Sequence, residues 1–413
     1  MKDGRTHYDV VVIGGGWAGI GVSYALKEAG LNHIVFERSR ICETWRTQRW
    51  SAFRMNTPNV LTVMPGDSYQ GDDPEGFMTC QEFVDMVEGF ARRHSLPVRT
   101  RTAVQSVERQ NGGFVVASDE GTITADNVVA ATGNLNVPRR PDGAAGLSPE
   151  INQMDGSDYH DTRALAEGAV LVVGCGNSGG QIAEDIALAG RKVFLSTSRN
   201  GRVPRRYRGK DVILWLVENG QMAQPRPHDG GRPLLGATHT ISLQSLSALG
   251  ITLLGRFESV LPDGTLTFTD SLAESLEYGN ENAQRVRDGI DAYIAENGID
   301  APPGAPDAAE TLAPELPDPP ILRLDPQAEG ISTVIWSTGF IGDFSWLKVP
   351  GALDNRGQPI ETGCVSVPGV YFAGLDSSAS LAAGTIHVVE QEAYKIVDHI
   401  VSKKAGEAHL QVT

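Results

Sequence analysis

The chain has 413 residues, 40% hydrophobic and 21% charged, which suits a globular protein with room for two or three domains, each burying its own core. Its 35 basic against 51 acidic residues, a net charge of −16, argue against nucleic acid or an anionic membrane as partner. No run of 18 apolar residues suggests a membrane span, and four scattered cysteines without a C-x-x-C pair exclude a dithiol redox centre and offer no metal-ligand spacing.

The first predicted element is a buried strand through Val10-Val11-Val12-Ile13, ending at Gly14 with glycines again at 16 and 19. It starts by residue 8, which leaves no room for a cleaved signal peptide, so a reduced, cytoplasmic protein is expected. An amphipathic helix from Ile20 to Ala29, closed by Gly30, leads to Ile34-Val35-Phe36 and then Glu37, 23 residues after Gly14. Strand, glycine turn, helix, strand and acid together form the pattern that holds a dinucleotide. Gly14 permits the tight turn, Gly16 admits backbone amides close to a diphosphate, and Gly19 lets the helix pack on the strand with its positive end toward the phosphates. Glu37 is placed to accept from ribose hydroxyls.

From Cys42 to Asn59 the sequence reads as loop, broken by Pro58. Thr79 caps a helix through His94, with Phe83, Val87 and Phe90 at core spacing. Short strands follow at Ala103 to Glu108, Gly113 to Ser118 and Gly121 to Ala125, then a separate buried strand from Asn127 to Gly133. Residues 138–149 read as a linker rich in proline and glycine.

The opening pattern then returns. Ala169 to Val173 precedes Gly174-Cys175-Gly176-Asn177-Ser178-Gly179, with a helix from Gly180 to Ala189 and a strand over Lys192 to Ser196. Opposite Glu37 stands Ser196 or Thr197, depending on a one-residue gap. An acid there would repel a 2′-phosphate, whereas Ser, Thr and Arg199 would accept one. The first unit therefore suits FAD and the second NADPH, unless Arg199 is merely a solvated surface residue. The basic run Arg202 to Arg208 either frames phosphates or lies exposed. A short helix is expected over Asp211 to Val217, loop over 221–235, a small sheet between Ile251 and Phe268, and a helix from Glu281 to Glu296. The proline cluster at 301–320 is either a lid or a surface connector. Ile331 to Gly339 echoes the strand ending in Thr132-Gly133, so the two are read as the points where the chain leaves and re-enters the first domain. A strand over Val370 to Phe372 and a helix from Thr385 to Ser402 close the chain. The fold class is α/β with two Rossmann-like domains, the NADPH domain inserted in a discontinuous FAD domain. The boundaries are 1–165, 166–329 (with a loop and helix insertion at 221–329) and 330–413.

These residues resemble the flavin-containing monooxygenase superfamily, and within it a bacterial subgroup of flavoprotein oxidoreductases and monooxygenases. The likeness spans nearly the whole chain. It is carried by Gly14 to Gly19 with Glu37, Trp45-Arg46, Met55-Asn56-Thr57-Pro58-Asn59, Ala131-Thr132-Gly133, Gly174-x-Gly176-Asn177-Ser178-Gly179, Ser198-Arg199 and Ser337-Thr338-Gly339-Phe340. The resemblance implies that Gly14, Gly16, Trp17, Ala18, Gly19, Glu37, Arg38, Trp45, Arg46, Asn56, Val104, Ala131, Thr132 and Gly133 line the FAD site. It implies Gly174, Gly176, Asn177, Ser178, Gly179, Thr197, Ser198 and Arg199 for NADPH, with Thr338, Gly339 and Asp376 also against a cofactor. It implies that NADPH reduces FAD, that reduced flavin adds oxygen at C4a to give a hydroperoxide, and that a soft nucleophile takes the distal oxygen. Asn56 matches an asparagine that in the family sits near the flavin and nicotinamide rings, and is expected to support catalysis. Asp376, with Ser377, Ser378 and His387, is expected to shape a polar substrate site. Two features depart from the family. The fingerprint F-x-G-x-x-x-H survives only as Met154-x-Gly156-x-x-x-His160 without a following Trp-Pro, against a typical Baeyer–Villiger oxygenase, and Gly374 to Ser380 is unusually polar.

The expectation is a single-component FAD- and NADPH-dependent monooxygenase acting with molecular oxygen on a small polar amine or sulfur compound. It has no metal, nucleic-acid or membrane partner, and a homodimer is compatible. Two alternatives stay open: an NADPH-dependent FAD reductase or dehydrogenase without oxygenation, and a non-catalytic nucleotide-binding flavoprotein.

Overall fold

The computed structural model describes residues 6–226 and 232–410, with backbone alone over 404–410. Part of the loop expected at 221–235, residues 227–231, lies outside the described residues. The strand His7–Ile13 is central to the first sheet. It runs parallel to His33–Phe36 on one side and to Gly121–Ala130 on the other. Burial on both faces explains its unbroken Val-Val-Val-Ile run. The sheet continues outward through Gly113–Ser118 and Val104–Gln110 to Leu347–Lys348, and through His33–Phe36 to Val98–Arg99. Val370–Phe372 pairs beside the C-terminal half of Gly121–Ala130. Gly121 to Ala125 and Asn127 to Ala130 thus form one strand rather than the expected two. Its break in pattern, Asp126, is exposed and lies 3.4 Å from His7 Nε2.

The second sheet is all parallel, in the order Thr252–Leu254, Val193–Ser196, Ala169–Val173, Ile331–Trp336, Asn152–Asp155. Here hydrogen bonding departs from the reading that set 152–155 and 331–336 with the first unit. Both strands belong to the second sheet, and the chain rejoins the first only at Leu347–Lys348. A β-branched strand ending in Thr-Gly suits either sheet, so composition could not assign it. The expected small sheet is Phe257–Val260, Leu266–Phe268 and Arg323–Leu324, while Thr252–Leu254 joins the large one.

The helices are α1 (Trp17–Glu28), α2 (Glu43–Thr47), α3 (Cys80–Arg93), α4 (Asn177–Leu188), α5 (Val212–Glu218), α6 (Leu243–Ala248), α7 (Leu272–Asn297), α8 (Ala308–Thr311) and α9 (Val389–Leu410). α3 starts at a capping box between Thr79 and Glu82. α2 falls inside the stretch read as loop, its first turn entered through Cys42 at φ 57°. α7 is longer than the expected 281–296 because the sequence ahead of it, low in hydrophobic periodicity, is held by buried Leu272, Ser275 and Gly279. α1 and α9 pack closely over the first sheet, where a Cβ at Gly21 would come within 2.5 Å of Val389. The arginines of the basic run at 202–208 are engaged in ion pairs, with Arg206 exposed. Arg202 pairs with buried Glu310 at 2.7 Å, Arg205 with Asp211, Arg206 with Glu75 and Arg208 with Asp291. Glu310 also takes Arg287, which ties the 301–320 segment to the body of the protein.

Candidate functional site

Both glycine loops lie between the C-terminal end of a central parallel strand and the start of a helix. At the first, Gly14 has φ +111°, and a Cβ there would run into the Ala131 carbonyl. A Cβ at Gly19 would strike the Gly14 carbonyl, so α1 can approach the strand only with glycine at that position. Gly16 caps α1 with extended backbone, no side-chain cap and no acid in the first turn, and the space at its Cα is open. The amides of that turn lie at the positive end of a 12-residue helix. Beside them the Thr132 hydroxyl is buried and finds no partner among the described residues. This cradle fits a dinucleotide diphosphate. Glu37, only 8% exposed, accepts from Gly15 N at 2.7 Å and from Ser39 N at 2.8 Å, which fixes its carboxylate at the loop with lone pairs to spare.

The second loop repeats this construction. Gly174 has φ +103° and its missing Cβ faces the Ser337 carbonyl; Gly179 abuts the Gly174 carbonyl; Gly176 caps α4 with no side chain and no acid. Ser337 Oγ, like Thr132, is buried without a partner among the described residues. Ser337-Thr338-Gly339 therefore stands to Gly174 as Ala131-Thr132-Gly133 stands to Gly14. Thr338 itself turns its hydroxyl to the Arg139 carbonyl. The register is settled by Gly14 N donating to Phe36 O and Gly174 N to Ser196 O, so Glu37 aligns with Thr197. Thr197 is buried and its hydroxyl donates to Leu254 O at 2.8 Å, away from the loop mouth. Ser198 and exposed Arg199 remain at the mouth, with the Arg199 guanidinium stacked 4.5 Å over the Tyr278 ring. Ser178 is exposed on the first turn of α4, while Asn177 Oδ1 accepts from Leu235 N at 2.7 Å.

Asn56 joins the two units. Its Oδ1 accepts from Gln181 Nε2 at 3.1 Å, and its backbone carbonyl accepts from Arg205 NH1 at 3.0 Å. Arg205, 1% exposed, also pairs with Asp211 and stacks on Phe77. Near the first loop, Trp45 packs on Phe83 at 4.7 Å, Arg46 pairs with Glu88, and Arg38 is exposed. Val104 follows Thr102, whose amide donates to the Glu37 carbonyl. His160, the end of the partial fingerprint, ties to the 49–51 loop through Arg49 O and Ser51 N, while a Cβ at Gly156 would lie 2.7 Å from Ser337 Oγ.

The segment after Val370–Phe372 returns to the first loop. Gly374 leaves room for Ala18 and Trp17, and its amide donates to Glu392 Oε2 at 2.8 Å. Burial pushes the Glu392 carboxyl up to about 7. Asp376 is clasped by two guanidinium groups: Arg226 on Oδ1, and Arg232 on both oxygens at 2.6 and 3.1 Å. Burial would raise its pKa, but the arginines outweigh burial and hold it below the ordinary carboxylate value. Asn134 pins its backbone on both sides. Ser377 lines a cavity of about 160 Å³ with Phe372, Leu375, Ser380, Glu392 and Lys395, whereas the Ser378 carbonyl accepts from Arg226 N. His387 is half-buried in the turn before α9, and burial lowers its pKa. Gln181, Asn134, Arg226 and Arg232 are absent from the expected site, and Arg205 entered it only as a member of the basic run. Only Gln181 carried a local signal, its i+4 spacing from Asn177 on one helix face.

All four cysteines are free thiols. Burial raises each of them, Cys42 and Cys364 to about 12 and Cys80 to about 11, so the chain offers no ready thiolate. Among the described residues no group of His, Cys, Asp and Glu could hold a metal ion, and no helix is long and apolar enough to cross a membrane.

A family model described as pyridine nucleotide-disulphide oxidoreductase matches residues 11–217. An uncharacterized CzcO-like oxidoreductase of Geobacillus kaustophilus is 31% identical over 397 residues, 95% of this chain and 98% of that one. The indole-3-pyruvate monooxygenase YUCCA6 of Arabidopsis thaliana is 30% identical over 45% of this chain and 46% of its own. Among solved structures, a flavin-containing monooxygenase from Stenotrophomonas maltophilia superposes with a TM-score of 0.65 at 18% identity, over 97% of this chain and 99% of that one. The chain belongs to the pyridine nucleotide-disulphide oxidoreductase family and is an oxidoreductase.

Proposed function

We propose that the chain is a single-component monooxygenase that binds FAD at the Gly14 loop and NADPH at the Gly174 loop, and oxygenates a small, polar amine or sulfur compound. The observation that carries this reading is the pair of uncapped, acid-free helix starts at α1 and α4, each behind a glycine turn of the same backbone form, with an acid beside only one of them. When bound, FAD supplies hydride acceptance from NADPH and activation of molecular oxygen. The protein's part is to hold and to shield. The first-turn amides of α1 and α4 cradle the diphosphates, Glu37 accepts from the FAD ribose, and Ser198 with Arg199 donates to a 2′-phosphate. Asn56, tied to both units, stands at their junction. Asp376 is a clasp that holds the 374–384 loop through Arg226 and Arg232; with both oxygens committed, it does not serve as a base. The absence of a ready thiolate favours oxygenation over thiol–disulfide exchange.

The test is anaerobic reduction of the FAD-loaded protein by NADPH, followed by oxygen in the presence of a panel of amines and sulfides. Bleaching of the flavin by NADPH and transfer of isotopically labelled oxygen into a product are expected. Bleaching followed by stoichiometric peroxide with every compound would establish the reductase alternative. No bleaching would defeat both.

A further inference from the structure

The hydrogen bonds around Gln181 have a direction that can be worked out from chemistry alone. Gln181 lies on α4, one turn after Asn177, and is buried with the helix face that meets the first unit. Its Nε2 donates to the Leu235 carbonyl at 2.9 Å and to Asn56 Oδ1 at 3.1 Å. A backbone carbonyl can only accept, so Leu235 forces the Gln181 amide to present its NH2. That NH2 in turn forces Asn56 to turn its oxygen inward, leaving Asn56 Nδ2 as a donor for whatever lies at the junction. Leu235 is itself held on its other side, its N–H donating to Asn177 Oδ1 at 2.7 Å. A continuous chain of bonds therefore runs from the asparagine of the second glycine loop, through Leu235 and Gln181, to Asn56 of the first unit.

We infer that Gln181 is a positioning residue: it fixes the Asn56 amide as a hydrogen-bond donor and couples that orientation to Asn177 in the second loop. The inference rests on the two-nucleotide reading above and deepens it, since it assigns the coupling between the two sites to a side chain. It is tested by titrating the FAD-loaded protein with NADP+ and following the flavin spectrum, a binding readout independent of turnover. Gln181→Met keeps the volume and removes the donor. It is expected to weaken NADP+ about three- to tenfold, the worth of one oriented neutral hydrogen bond. In an Asn56→Ala background the same substitution is expected to do nothing further, because the residue it acts through is gone. Gln181→Glu supplies a second variant should the first not retain flavin. Its carboxylate cannot donate, so the loss is expected to grow as pH rises and to recede when the acid is protonated. Additive effects of Gln181→Met and Asn56→Ala, or a pH-independent Gln181→Glu, would overturn the inference. A wild-type spectrum that does not respond to NADP+ would instead overturn the two-nucleotide reading.

Discussion

The two glycine loops share a backbone and differ in how the loop is tied to the end of its second strand. In the first unit the tie comes from the strand, where the Glu37 carboxylate reaches back to Gly15 N. In the second it comes from the loop, where Cys175 Sγ accepts from Ser198 N at 3.3 Å. A Cβ at Gly15 would lie 2.8 Å from Glu37 Cβ, so a side chain in the middle of this loop would have to displace Glu37. Gly15 thus leaves the room in which the Glu37 carboxylate reaches the loop.

The largest expected effect tests the shared part. Gly19→Ala and Gly179→Ala each drive a methyl group into the carbonyl of the first loop glycine, a clash expected to cost about 3 kcal/mol or relieve itself by displacing the helix. Gly19→Ala should purify without flavin. Gly179→Ala should keep flavin and lose its reduction by NADPH, and equal flavin loss in both would break the assignment of the two loops. The tie itself is next. Gly15→Ala should push Glu37 aside and lower flavin affinity as much as Glu37→Gln does, roughly ten- to a hundredfold for a charge-assisted bond, measured by flavin retention on dialysis. A tight Gly15→Ala holoprotein would show that Glu37 is not held by this contact. Smaller still is Arg199→Ala, expected to weaken NADPH about tenfold and leave NADH unchanged, read from the two Michaelis constants.

What could be read from the sequence was whatever the backbone demands locally. Gly14 and Gly19 are written by a positive φ and by a close approach, and the structure shows both. The membership of Ile331–Trp336 was not legible, because a buried strand has the same composition in either sheet. Whether Ser196 or Thr197 stood opposite Glu37 required the hydrogen-bond register, and the answer turns the Thr197 hydroxyl away from the site. The arginines at 202, 205 and 208 read as a basic patch because their carboxylate partners are supplied by fold contacts: Glu310 and Asp291 lie far along the chain, and Asp211 beyond a turn. Asp376 looked like a site acid for the same reason, since Arg226 and Arg232 lie about 150 residues away. Through-space charge pairing leaves no periodic trace.

The smallest expected effect concerns a support that only the first loop has. Gly374 sits against Ala18 and Trp17, and its amide is held by Glu392 from α9; no helix from the far end of the chain backs the second loop in this way among the described residues. Burial raises the Glu392 carboxyl from 4.5 to about 7, so the folded protein binds this proton more tightly than the unfolded chain does. Stability contributed by the group is therefore complete below the unfolded carboxylate range and is lost as pH rises through about 7. Partial exposure screens the charge and leaves on the order of 1 kcal/mol at stake. Glu392→Gln keeps an acceptor for Gly374 N and carries no charge at any pH. Its melting temperature should match the wild type near pH 4 and exceed it by a few degrees at pH 8, with the difference building between about pH 4.5 and 7. A constant offset at all pH values would mean that Glu392 is already ionised in the fold, with its charge balanced by Lys395.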